Sequence, residues 1–204
     1  MSDVVRSLAE LESLYGDVSQ VALDKVTDRI TPGQRAYIEA APFVLVASVG
    51  ADGVDCSPRG DPAGWVRVVD ERTVQLPDRR GNNRLDTLRN IVADGRIALL
   101  FLVPGVGTTL RINGTAVLRT DDALRASFAM DSKLPATVIQ VAVREVYTQC
   151  PKALIRSALW EPDAFRDPAD LPSVGRIMSE ISDGVFDGDA YDRAYPRRIV
   201  DTIY

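Results

Sequence analysis

Across residues 43–119 the chain is a succession of short apolar or β-branched runs, each closed by Gly, Asp or Pro. The runs are 43–49, 54–58, 65–69, 73–76, 97–103 and 109–119, and 138–147 adds another that alternates in part. Each is too short for a helix that buries its own apolar face, and turn residues at this spacing join neighbouring strands into antiparallel pairs. One helical pattern interrupts the series: Leu85, Leu88 and Val92 recur at helical spacing, within about 84–93. A single helix inserted among many short strands predicts a small closed or partly closed antiparallel barrel.

Helices flank this core. Ser7 to Tyr15 places Leu8, Leu11 and Leu14 on one side, and Thr31 followed by Pro32 is a cap with proline at the first helical position, stopped by Pro42. Asp121 is expected to cap a short helix reaching about Met130, and 153–159, 173–182 and 191–204 are further expected helices. The fold class is therefore mainly β with helices (α+β). With 204 residues the chain suits one sizeable core, so 1–204 is expected to be a single domain with its core at about 31–160. No internal repeat or low-complexity run is present.

Composition removes several chemistries. There is no histidine, which excludes Ser-His-Asp and Cys-His catalysis, His-containing zinc sites and a His-ligated haem. An enzyme built without histidine is expected to leave its chemistry to a cofactor, and a flavin suits that requirement. The two cysteines, Cys56 and Cys150, are too few for a disulfide framework, and a reducing cytoplasm fits them. No apolar run approaches a membrane span and no signal pattern opens the chain. Residues 1–160 carry 19 acids and 19 bases, and 161–204 carry 10 and 5, so the net charge of −5 belongs to the acidic C-terminal extension. A neutral body with an acidic tail argues against nucleic acid as a partner.

The basic residues that remain conspicuous are local. Residues 76–91, LPDRRGNNRLDTLRNI, crowd Arg79, Arg80, Arg84 and Arg89 around a Gly/Asn turn that leads into the inserted helix, expected to start near Asn83 or Arg84. A helix N-terminus with guanidinium groups beside it suits one small anion, a terminal phosphate above all; a solvated arginine-rich turn is the alternative. No G-x-G-x-x-G fingerprint for a dinucleotide follows any strand run.

Taken in order, Ser57-Pro-Arg-Gly-Asp61, the 76–84 loop, Leu88-Arg-Asn-Ile91, Leu99-Leu-Phe101, Leu110-Arg-Ile-Asn-Gly114 and the CPKALIRSALW segment at 150–160 resemble the pyridoxamine 5′-phosphate oxidase-like family, the FMN-binding split barrels, over about 31–160. The resemblance implies a six-stranded antiparallel split β-barrel that binds FMN as a homodimer, with the cofactor at the subunit interface. It implies an FMN-dependent oxidoreductase moving hydride to or from a small substrate, with a pyridine nucleotide as a possible reductant. A non-catalytic FMN or haem binding or storage protein and a deazaflavin-dependent reductase are the alternatives on the same scaffold. An acidic, histidine-free tail departs from the Arg/His substrate region of true pyridoxamine phosphate oxidases, so that particular activity is not expected.

The family also assigns residues. Asn82, Asn83 and Arg84 stand where it has a Ser-Arg-Lys phosphate grip, and the change of Lys to Arg keeps the charge and adds a bidentate fork. Arg79 is a candidate second cation, while Arg80 and Arg89 are expected to be solvated or paired. Ser57, Arg59 and Gly60 match the strand that lies along the flavin, where Pro58 marks an edge or bulge. Thr109 stands where a polar residue, commonly Gln, reaches the cofactor; Arg111 is as well placed for the surface. Lys152, Arg156 and Trp160 follow at i, i+4, i+8, a stripe that either covers a flavin ring or anionic substrate from the neighbouring subunit or is a hydrophobic anchor with flanking charges.

Overall fold

The computed structural model describes residues 4–51 and 53–204. Seven strands form one sheet in the order β2-β1-β5-β6-β7-β4-β3, every neighbouring pair antiparallel. They are β1 (Phe43–Gly50), β2 (Gly53–Gly60), β3 (Arg67–Asp70), β4 (Thr73–Pro77), β5 (Arg96–Leu102), β6 (Thr109–Arg119) and β7 (Val138–Gln149). Each sequence run supplies one strand, giving one strand more than the resemblance implies; the architecture is an antiparallel split barrel. β2 and β3 are the two edges, and Pro58 sits on β2, where its missing N–H interrupts no central ladder.

Strand alternation sorts the core. Val44, Val46, Leu99, Phe101, Leu110, Ile112, Val141, Val143 and Val146 are buried on the inner face, with the residues between them half-exposed or exposed on the outer one. β6 and β7 change register between Asn113 and Gly114. Glycine is required there, because a Cβ at position 114 would collide with the Ala142 carbonyl oxygen.

The helices are α1 (Leu8–Ser13), α2 (Gln20–Asp24), α3 (Pro32–Ala40), α4 (Asp86–Ala93), α5 (Asp122–Ala126), α6 (Lys152–Ser157), α7 (Val174–Ile181) and α8 (Gly188–Thr202). α3 starts as its sequence dictates: Pro32 opens it, the Gln34 N–H donates to Thr31 Oγ1, and the Thr31 N–H donates to Gln34 Oε1 at 2.8 Å. α2 is a helix the sequence pattern did not announce. α5 stops at Ala126 rather than near Met130, and the Asp121 carboxylate accepts from Arg119 at 2.9 Å instead of capping it. α8 begins at Gly188, earlier than its apolar pattern, because Asp187 Oδ1 accepts from the Ala190 N–H, and the helix continues through Pro196.

α4 is the inserted helix, and its position is fixed by polar contacts as well as by buried Ile91. Asn90 Nδ2 donates to the fully buried Ser48 Oγ at 3.0 Å, and Gly50 leaves room for the Asn90 amide where any Cβ would clash. Thr87 Oγ1 donates to Asp55 Oδ2 at 2.8 Å. α4 is thus pinned to β1 and β2 at one end of the barrel.

Candidate functional site

β2 places its polar residues on the inner side of the sheet. Asp55, Ser57 and Arg59 pair across β1 with Ser48, Val46 and Val44, all buried, so the three polar side chains face the split and not the outer surface. Ser57 Oγ donates to Asp55 Oδ2 at 3.0 Å, the oxygen that also takes the Thr87 hydroxyl. Gly60 does not take a positive φ, and a Cβ added there would come within 3.2 Å of the Pro42 carbonyl oxygen.

The ends of β2 and β4 meet across the split in two charge-swapped pairs. Arg59 Nε lies 3.9 Å from Asp78 Oδ1, and Arg79 Nε donates to Asp61 Oδ2 at 2.7 Å. The second pair is buried, with side-chain exposures of 15% for Arg79 and 1% for Asp61. Arg79 also donates through Nη1 to the Phe128 carbonyl at 2.7 Å, so this guanidinium is committed to protein partners. Burial pushes the Asp78 carboxyl above the usual carboxylate range, and the nearby Arg59 only partly offsets it.

The 78–85 loop departs from the expected helix start. α4 begins at Asp86, so Arg84 precedes the helix instead of lying in its first turn. Asn82 is the reason: its Oδ1 accepts from the Arg84 N–H at 3.1 Å, closing a turn of its own, while Asn83 (φ 60°) and Leu85 (φ 63°) are left-handed. No side chain caps the α4 N-terminus. Arg84 Nε donates to Asp86 Oδ2 at 2.8 Å with 75% of its side chain exposed. An exposed pair of this kind is worth about 0–1 kcal/mol, so a phosphate can recruit Arg84 cheaply. Arg80 and Arg89 are exposed, and no side-chain hydrogen bond or ion pair engages them among the described residues. Across 78–89 four arginines stand against two aspartates, which leaves two positive charges on the loop and α4 start.

The remaining expected residues are dispersed. Thr109 is buried at the start of β6, its Oγ1 3.4 Å from Gln149 Oε1 on β7. Lys152 and Arg156 are exposed on α6, but Trp160 is not on their stripe. The helix ends at Ser157, Ala158 turns left-handed (φ 50°), and the Trp160 indole N–H donates to the Val106 carbonyl at 3.1 Å. Asp55, Asp61, Asp78, Thr87 and Tyr204 were not among the expected site residues. Asp55 carried a signal, alternating with Ser57 and Arg59 on one strand face. Tyr204, whose hydroxyl donates to Asp61 Oδ1 at 2.8 Å, carried none across 143 residues of separation.

The family model described as pyridoxamine 5′-phosphate oxidase matches residues 30–150, more than half of the chain. The chain belongs to this family. The matched span includes β1–β7, the 78–85 loop and α4, and ends just before α6. No curated protein matches the chain. Among solved structures, HupZ of Group A Streptococcus is similar at 21% identity over 59% of this chain and 94% of that one, with a TM-score of 0.49. An FMN-binding protein from Syntrophomonas wolfei is 10% identical over 56% and 86% of the two chains (TM-score 0.42). An F420 reductase is 17% identical over 59% and 98% (TM-score 0.41). No helix among the described residues is long and apolar enough to cross a membrane.

Proposed function

We propose that this member of the pyridoxamine 5′-phosphate oxidase family is an FMN-dependent oxidoreductase that works as a homodimer. The observation that carries the reading is the 78–85 loop with the α4 start. It combines two unbalanced positive charges, an exposed guanidinium in a weak pair, two asparagine amides and an uncapped helix N-terminus. That donor set matches a terminal phosphate dianion in charge and in hydrogen-bonding capacity. Arg84, Asn82 and Asn83 would hold the phosphate. The ring would lie along residues 57–60 of β2, with Ser57, Arg59 and Gly60 beside it.

Arg79 contributes differently from a free phosphate cation. Its buried pair with Asp61 fixes the loop where it leaves β4, so Arg79 sets the position of the residues that bind. When bound, FMN supplies hydride acceptance and donation at its ring, which suits a chain without histidine.

The outer sheet face supports a second copy. Leu45 and Ala47 of β1 lie in register with Pro58 and Cys56 of β2 and with Leu100 and Ala98 of β5, and Phe43 lies beside Leu102, an apolar surface that one chain leaves half-exposed or exposed. Thr109, Lys152, Arg156 and Trp160 would complete the site at that interface. The test is anaerobic titration of the FMN-loaded protein with a pyridine nucleotide. Bleaching of the flavin band supports an oxidoreductase. A flavin that binds but is not reduced by any physiological donor supports a binding protein instead.

A further inference from the structure

Among the described residues, the hydrogen bonds that join residues 161–204 to the barrel converge on one place. α7 and α8 pack on each other through Gly175 and Gly188, with the Asp192 carboxylate accepting from Ser173 and from the Gly175 N–H. Of the hydrogen bonds among the described residues, the two that tie this hairpin to the barrel both end on Tyr204, just past α8. Its hydroxyl donates to Asp61 Oδ1 at 2.8 Å, and its carbonyl oxygen accepts from Lys133 Nζ at 2.8 Å. The Tyr204 ring also lies 5.7 Å from the Arg79 guanidinium, within cation–π range.

The anchor point is not an arbitrary surface patch. Asp61 follows the end of β2, Arg79 opens the loop after β4, and their buried pair bridges the split. Tyr204 satisfies the second oxygen of the Asp61 carboxylate and covers the Arg79 guanidinium. The same carboxylate therefore holds the loop through one oxygen and the hairpin through the other.

We propose that the α7–α8 hairpin is a strap latched by Tyr204 onto the Asp61–Arg79 pair, and that the latch controls how readily the neighbouring cofactor loop opens. The control of the cofactor rests on the FMN reading above; the latch does not. With the latch closed, Arg79 is held between Asp61, the Phe128 carbonyl and the Tyr204 ring, and residues 80–85 depart from a fixed point. With it open, the hairpin keeps its internal packing and the Lys133 contact to the Tyr204 backbone but loses the hydroxyl bond to Asp61.

The test compares the full-length protein with Tyr204→Phe, which keeps the ring, and Tyr204→Ala, which removes it. Position 204 is outside the core, and an unchanged far-ultraviolet circular dichroism spectrum with a cooperative urea transition shows that both variants fold. Hydrogen exchange read by mass spectrometry reports the latch without any cofactor. Loss of a hydrogen bond to a charged group raises exchange in α8 by about 10-fold or more, with a smaller rise across 79–85. FMN release into excess apoflavodoxin-type scavenger reports the coupling, with Tyr204→Phe expected to release FMN about 10-fold faster. Unchanged exchange in α8 overturns the latch. Faster exchange with unchanged FMN release overturns its control of the cofactor site. A wild-type protein that takes up no FMN overturns the FMN reading and the control built on it, while the exchange result still decides the latch.

Discussion

Replacing Asp61 by alanine tests how the barrel closes its split. The substitution leaves Arg79, 15% exposed, without the carboxylate that sits 2.7 Å from its Nε. Removing one partner of a buried ion pair costs about 3–5 kcal/mol, because the remaining charge stays buried and uncompensated. Arg79 keeps its bond to the Phe128 carbonyl, which places the expected loss at the lower end, about 3 kcal/mol. With a urea m-value of about 3 kcal/mol/M for a chain of this size, the unfolding midpoint falls by about 1 M. The exposed Arg84–Asp86 pair provides the contrast, since Arg84→Ala removes about 0–1 kcal/mol and moves the midpoint by less than about 0.3 M. The double variant Asp61→Ala/Arg79→Met removes both charges and recovers much of the loss. Equal midpoint shifts for Asp61→Ala and Arg84→Ala, or no recovery in the double variant, would refute the view that this pair holds the split together.

Further outcomes follow from the same geometry. Arg84→Ala weakens FMN binding by about 10- to 150-fold through loss of a charge-assisted hydrogen bond, whereas Arg89→Ala costs no more than about 0.5 kcal/mol; fluorescence-quenching titration at fixed salt separates them. Gly114→Ala forces its Cβ against the Ala142 carbonyl oxygen and destabilises the protein by about 3 kcal/mol or more, read by urea unfolding. Asp78 has its folded pKa raised by burial, so its protonated form is favoured in the fold and stability falls as pH rises through that raised value. Asp78→Asn therefore stabilises at neutral pH, and the gain fades as pH drops toward the unfolded value of about 4, as unfolding midpoints across that range would record. Light scattering is expected to give twice the 22.2 kDa of one chain, and a monomer mass would remove the second copy from the proposed site.

The strands were legible because each depends on local information: period-2 alternation with one face buried, closed by turn residues. Thr31 and Pro32 announced α3 for the same reason, since a cap followed by proline is a local signal; the Gln34 half of the capping box came only with the structure. The start of α4 was not legible. Asn82 and Asn83 are good helix-start residues by composition, but Asn82 closes its own turn and Asn83 turns left-handed, so the helix waits until Asp86. Trp160 left its expected stripe through one left-handed residue, Ala158, which has no glycine to signal it. The pairing of the arginines lay further beyond reach. Nothing near Arg79 in sequence distinguishes it from Arg80, and only the fold brings Asp61 and Tyr204 to one of them and leaves the other in water.

The identity of the chromophore that the purified protein carries tests the account most directly. Denaturation, chromatography and mass of the released compound, with its ratio to protein chains, suffice. The arginine–asparagine loop and the absence of a dinucleotide fingerprint predict FMN at about one per chain when the site is saturated. Stoichiometric FAD, haem or deazaflavin, or a protein that takes up no FMN from excess, would contradict it.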